Sequence, residues 1–139
     1  MATTTATITL SSADIQSDVL ALTKQATLNK ANTTTGLDQT TGLNKIVFSG
    51  SLNAITLIPE TAAGLNKAAK VYIANKSTDA SEFVTITIHA QIIGKLYAGD
   101  WMFIPWSQID GNDLKLTTSV ATALPVEYMM IHEGITLSL

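Results

Sequence analysis

The residues that could carry chemistry are few and scattered. His89 and His132 stand 43 positions apart and fit neither a His-x-His nor a His-Glu-x-x-His spacing. A zinc site draws three or four converging ligands. Glu133 directly follows His132, which on a strand sends the two side chains to opposite faces. Nucleophilic catalysis needs a nucleophile, a base and an orienting group in contact. No Gly-x-Ser-x-Gly elbow is present, and Phe48-Ser49-Gly50-Ser51 lacks the first glycine and reads as a hairpin turn. Asp110-Gly111-Asn112-Asp113 groups the oxygens that calcium favours, but a full calcium shell takes six to eight, and Asp-Gly between strands is first a turn signal. Nothing in the spacing marks a carboxylate pair for acid–base work, and no glycine-rich phosphate loop occurs. The sequence therefore predicts no catalytic residue, no metal and no cofactor.

The composition points to a different kind of work. Of 139 residues, 21 are threonine, none is cysteine and none is arginine; all eight basic residues are lysine. Threonine branches at Cβ and suits a pleated, half-buried surface. Arginine supplies the planar fork that grips phosphate and carboxylate, so its absence argues against gripping anions. The lysines are spread singly along a chain of net charge −3, unlike the basic patch of a nucleic-acid binder. Charged residues make up 14%, against about 25% in ordinary globular domains. Either Thr, Ser and Asn cover the surface, or much of it is buried against other chains. No apolar run approaches the roughly 18 residues of a membrane helix. The start, Met1-Ala2-Thr3-Thr4-Thr5, lacks the basic and apolar regions of a signal peptide. The expectation is a soluble, unexported chain that binds neither nucleic acid nor membrane.

The elements follow from hydrophobic period. Residues 1–10 read as an arm strand, with Ala6, Ile8 and Leu10 on one face and Thr5, Thr7 and Thr9 on the other. Val19–Leu28 alternates likewise, after a turn that has room for one helical turn. Residues 29–45 form a long polar loop in which Thr-Thr-Gly-Leu recurs at 34–37 and 40–43, with a looser echo at 62–67. Loops of more than about 12–15 residues usually carry function or are disordered, so this one is a candidate contact arm. Strand signals then recur at 45–49, 54–58, 70–75, 83–88, 91–96, 101–104, 114–118 and 126–132, separated by Gly, Pro and Asn-rich turns, and 135–139 alternates again. Such spacing predicts one all-β domain over 1–139: an antiparallel β-sandwich, jelly-roll or Ig-like, of about eight to ten short strands.

Four of the eight aromatic residues, Tyr97, Trp101, Phe103 and Trp106, lie within ten positions. Trp101 and Phe103 share one strand face and Met102 and Ile104 the other, so both faces are apolar. That marks a strand covered on both sides, by two sheets or by a sheet and a neighbouring subunit, with Trp106 the best interface carrier. The interface candidates are thus Thr5, Thr7 and Ile8 from the arm, Leu37 and Leu43 from the loop, and Trp101, Phe103 and Trp106 from the aromatic strand.

The run Lys70-Val71-Tyr72-Ile73-Ala74-Asn75-Lys76-Ser77, then Phe83–Ile88, then Ile93-Gly94-Lys95-Leu96-Tyr97-Ala98-Gly99-Asp100-Trp101-Met102-Phe103-Ile104-Pro105-Trp106, resembles small structural proteins of tailed bacteriophages over about residues 70–132. The resemblance implies a virion component with a β-sandwich fold: a capsid decoration (cement) protein, or a tail, collar or fibre piece. It carries over no functional residue. Its expected partners are the major capsid protein or other virion proteins, its expected state a homo-oligomer, and its place the virion assembled in the host cytoplasm. A carbohydrate-binding β-sandwich module is the alternative of another class; it would need Trp101 or Trp106 facing solvent as a stacking platform.

Overall fold

The computed structural model describes residues 3–48, 54–59, 62, 67–120 and 123–134. The expected turn at Gly50-Ser51, most of the 62–67 echo and the strand at 135–139 lie outside them. The strands are β1 (Thr5–Ser12), β2 (Leu20–Thr27), β3 (Gln39–Thr40), β4 (Asn44–Phe48), β5 (Ile55–Ile58), β6 (Ala69–Asn75), β7 (Phe83–Ile88), β8 (Gln91–Tyr97), β9 (Trp101–Trp106), β10 (Leu114–Thr118) and β11 (Leu124–His132). No helix occurs among the described residues, and the segment before β2 is a series of bends.

Nine of these segments build a sandwich. One sheet runs β9-β6-β11, with β3 and β4 following each other along the far side of β11; the other runs β5-β10-β7-β8. All pairings are antiparallel. Within them β7 pairs β8, β6 pairs β9, β5 pairs β10 and β4 pairs β11. Strands are therefore matched from the middle of the chain outward, as in a long hairpin rolled on itself, and they divide alternately between the sheets. This is jelly-roll topology. The strand the sequence did not mark is β3, a two-residue segment inside the expected polar loop of residues 29–45.

The period-2 pattern places the core. Val71 and Ile73 from β6, Leu124, Val126 and Met130 from β11, and Trp106 from β9 face Val84, Ile86, Leu114 and Leu116 of the other sheet. Each large side chain buried there contributes about 1.5–3 kcal/mol. Threonines take the wetter face of the second sheet, with Thr85 opposite both Lys95 and Thr117. Alternation slips twice: in β5, where Leu114 pairs Ile58 while Lys115 pairs Thr56, and in β8, where Ile86 pairs Gly94 while Thr87 pairs Ile92. Ile93 is the extra residue of the β8 bulge, which bends an edge strand.

The most deeply buried polar side chain among the described residues is an amide. Asn75 is fully buried. Its Nδ2 donates to the Leu96 carbonyl of β8 at 2.9 Å and to the Glu82 carbonyl at 3.4 Å, and its Oδ1 accepts from the Ser77 amide at 2.9 Å. Its backbone N–H donates to the Asp100 carbonyl, and its carbonyl accepts from the Gly99 amide at 3.0 Å. A buried amide is tolerable only when its partners are all present. Asn75→Ala strands the Leu96 carbonyl and the Ser77 amide, and should lower unfolding free energy by about 2–4 kcal/mol, measured by urea titration. An unchanged midpoint would show that the sheets are joined by apolar contact alone.

Candidate interaction surface

The two chain regions expected to act as arms are built differently. β1 and β2 pair over their whole length, Thr5 opposite Thr27 through Ser12 opposite Leu20. The register puts Ala6, Ile8 and Leu10 on the same face as Ala26, Lys24 and Leu22, and Thr5, Thr7 and Thr9 beside Thr27, Gln25 and Thr23 on the other. The ribbon is thus apolar on one side and hydroxylated on the other. Its strands touch the sandwich sparsely, and Ile8, Leu10 and Leu22 remain exposed.

Residues 29–45, by contrast, are not a free loop. At the ribbon's base the Leu28 amide donates to the Thr4 carbonyl and the Leu37 amide to the Leu28 carbonyl, each at 2.9 Å. Leu37, expected at an interface, is 1% exposed, because this base folds inward and shuts it from solvent. The Thr41 amide donates to the Met130 carbonyl, and the Met130 amide donates back to Thr41 Oγ1, both at 3.0 Å. Only the break between β3 and β4 stands out, at Gly42 with φ 76°, and it leaves Leu43 61% exposed.

Glu133 secures the ribbon's base. Its Oε1 accepts the Ala31 amide at 3.0 Å and the Ala68 amide at 2.8 Å, tying the 28–38 segment to the start of β6. Burial pushes the Glu133 carboxyl up, but the two amides and the nearby Lys67 and Lys30 charges outweigh it, and the net displacement is downward. No sequence motif marked this residue. Its one signal was an acid placed directly after the last residue of β11.

The aromatic strand β9 is an edge strand, and its two tryptophans part ways. Met102, Ile104 and Trp106 pair with Ile73, Val71 and Ala69 on the core side. Trp106 is 3% exposed and its indole N–H donates to the Asn112 carbonyl at 3.0 Å. The expectation that Trp106 carries an interface is corrected on that geometry: it plugs the end of the core. Trp101 and Phe103 pair with Ala74 and Tyr72 on the outer face. Trp101 is 52% exposed and Phe103 is half-buried. Beside them Tyr72 donates its hydroxyl to Glu127 Oε1 at 3.0 Å. Burial pushes the Tyr72 phenol up, and the Glu127 hydrogen bond and charge add to it.

Between this outer face and the ribbon lies an open groove of about 900 Å³. Ile8, Leu10 and Leu28 line one wall and Tyr72, Trp101 and Phe103 the other, and Thr7 stands at its margin. Of the expected interface residues, the fold thus gathers Thr7, Ile8, Trp101 and Phe103 at one place. Thr5 lies exposed at the ribbon's base, Leu43 stands apart, and Leu37 and Trp106 are interior. In the Asp110–Asp113 turn, Gly111 takes φ 82° and Asn112 donates its side-chain amide to the Ser107 carbonyl at 2.7 Å. No three His, Asp or Glu side chains converge among the described residues.

No family model matches the chain, and neither curated proteins nor solved structures show a significant match to it.

Two expectations follow. Iodide should quench one tryptophan component of the single chain, and Trp101→Phe should abolish that component; quenching that survives the substitution would mean that Trp106 is open to solvent. Glu133 has a folded pKa below the ordinary 4.5, so its stabilisation is present above that value and is lost as pH falls through the lowered one. The stability of the wild type relative to Glu133→Gln should therefore be constant above the ordinary carboxylate range and decline as pH falls from about 4.5 through the lowered value. Parallel pH curves for the two proteins would remove Glu133 from the clasp.

Proposed function

We propose that the chain is a virion structural protein, a capsid decoration protein that binds the outer face of a phage shell and stabilises it. The observation that carries this reading is the β1–β2 ribbon. It projects an apolar stripe that the single chain leaves uncovered, and monomeric soluble proteins rarely expose contiguous apolar surface without a partner to bury it. The jelly roll is a fold shared by viral capsid and lectin domains, which supports the reading by analogy of fold. The similarity of residues 70–132 to phage structural proteins supports it from the sequence side. Repetition over a shell would let a modest contact per copy sum to a large effect.

A second reading, a carbohydrate-binding module, is favoured by one observation: Trp101 is exposed on a sheet face beside Phe103 and Tyr72. Its indole would stack on a sugar ring.

The test is cosedimentation with undecorated heads of the virus that encodes the chain. Wild type should pellet with heads, and Ile8→Ser/Leu10→Ser/Leu22→Ser should lose at least about tenfold in affinity, three apolar side chains being removed from the contact. Wild type that stays in the supernatant sinks the decoration reading. A shift of Trp101 emission with an oligosaccharide and none with heads would put the sugar reading in its place.

A further inference from the structure

The groove between the ribbon and the outer sheet face contains two lysines without an acidic partner. Lys24 of β2 and Lys70 of β6 both line it, and neither forms an ion pair among the described residues, where Lys30 is the lysine that does, with Asp38 at 2.8 Å. The carboxylate on the groove wall is that of Asp100, whose Oδ2 is engaged by the Tyr97 amide at 2.9 Å. The lining itself carries two lysines and one carboxylate, with Glu127 behind it engaged by the Tyr72 hydroxyl at 3.0 Å. Set among Ile8, Leu10, Tyr72 and Phe103, the two lysines call for an occupant that is acidic and apolar together. The volume, about 900 Å³, is at the upper end of the range for small-molecule pockets and suits a loop of chain.

The same chain carries such a loop. Residues 12–19, the tip of the ribbon, read Ser-Ala-Asp-Ile-Gln-Ser-Asp-Val, with two carboxylates and no base. Ile15 and Val19 are 73% and 71% exposed. The tip has a defined shape: Ser12 Oγ donates to Asp14 Oδ1 at 3.1 Å and accepts the amides of Asp14 and Ile15. It cannot enter its own groove, because the strands that carry it form one wall of that groove.

We propose that the ribbon tip of one copy seats in the groove of a second copy, with Asp14 and Asp18 meeting Lys24 and Lys70, and Ile15 and Val19 covering the apolar walls. Donor and acceptor surfaces differ, so the contact is heterologous and repeats head to tail, closing a ring where the rotation allows. The association extends the decoration reading and does not depend on it, since it requires no shell.

Sedimentation velocity over a concentration series, without heads, tests it. Wild type should self-associate. Asp14→Lys/Asp18→Lys and Lys24→Glu/Lys70→Glu should each weaken association at least about tenfold, by setting like charges face to face. The quadruple variant, with tip and groove both reversed, should return to within about threefold of wild type. All four side chains are at or near the surface, and the β-type circular dichroism of each variant confirms folding. A wild type that is monomeric throughout, double variants that keep the wild-type mass, or a quadruple variant that stays dissociated overturns the proposal. Head binding is read separately, so a monomer that still pellets with heads defeats the tip-in-groove contact and leaves the decoration reading standing.

Discussion

The hydrogen bonds of Asn75 set the geometry on which the outer surface depends. The two sheets meet through apolar side chains, which are indifferent to small slides. Asn75 is different: its side-chain amide reaches from β6 to the Leu96 carbonyl of β8, in the opposite sheet. Its backbone holds Gly99 and Asp100 in the turn that starts β9. Trp101 is the next residue and pairs with Ala74, the neighbour of Asn75. One buried amide therefore sets the offset of the sheets and the place where the exposed indole emerges. The groove inherits its aromatic wall from a constraint inside the core.

The roll and the ribbon sit at opposite ends of a range in contact distance. β7 and β8 are joined by two residues, whereas β4 and β11 are separated by most of the sandwich sequence. Closing such long loops is entropically costly and is recovered only when both sheets pack. The ribbon is local and needs no such closure, but an isolated two-stranded hairpin is at best marginally stable in water. Its base is accordingly clamped by Leu28, Leu37 and the Glu133 carboxylate. The clasp gives the arm a fixed root while leaving its stripe open.

Much of this was legible in residue order. Phe83–Ile88 and Leu114–Thr118 alternate so regularly that their expected and observed limits coincide. The two-faced ribbon followed from threonine alternating with Ala, Ile and Leu. Pro105 was less transparent: it read as punctuation, yet β9 runs through it to Trp106, because an edge strand has a free side on which a missing N–H breaks no ladder. The turn between β7 and β8 gave no local signal. His89 and Ala90 both hold positive φ, the requirement of a type I′ turn, where Asn-Gly is the usual pair. Asn75 and Glu133 were hidden for another reason. In sequence one is a turn former and the other a lone acid; their roles come from carbonyls and amides that the chain delivers from 21 and 65 to 102 residues away. Period and composition report what a residue prefers, not which distant backbone groups will be left for it to satisfy.

The distribution of unguarded edges bears on function more directly than any single side chain. A sheet edge invites pairing unless something blunts it. In the sandwich β9 carries Pro105, β8 carries a bulge and Lys95, β5 has four residues, and the β3–β4 side is broken at Thr41–Leu43. Each limits strand addition to the body. The ribbon has no such device along β1, eight residues without proline or charge, and in β2 the single charge is Lys24. Among the described residues, the contrast leaves the open edges on the β1–β2 ribbon, which touches the core sparsely, so that a neighbour can reach them without disturbing the roll. A chain that works as one of many identical copies can use such an arm, provided the groove beside it accepts the tip more favourably than two ribbons accept each other. The acidic tip and the lysines of the groove supply that bias, because they reward tip in groove and penalise tip against tip.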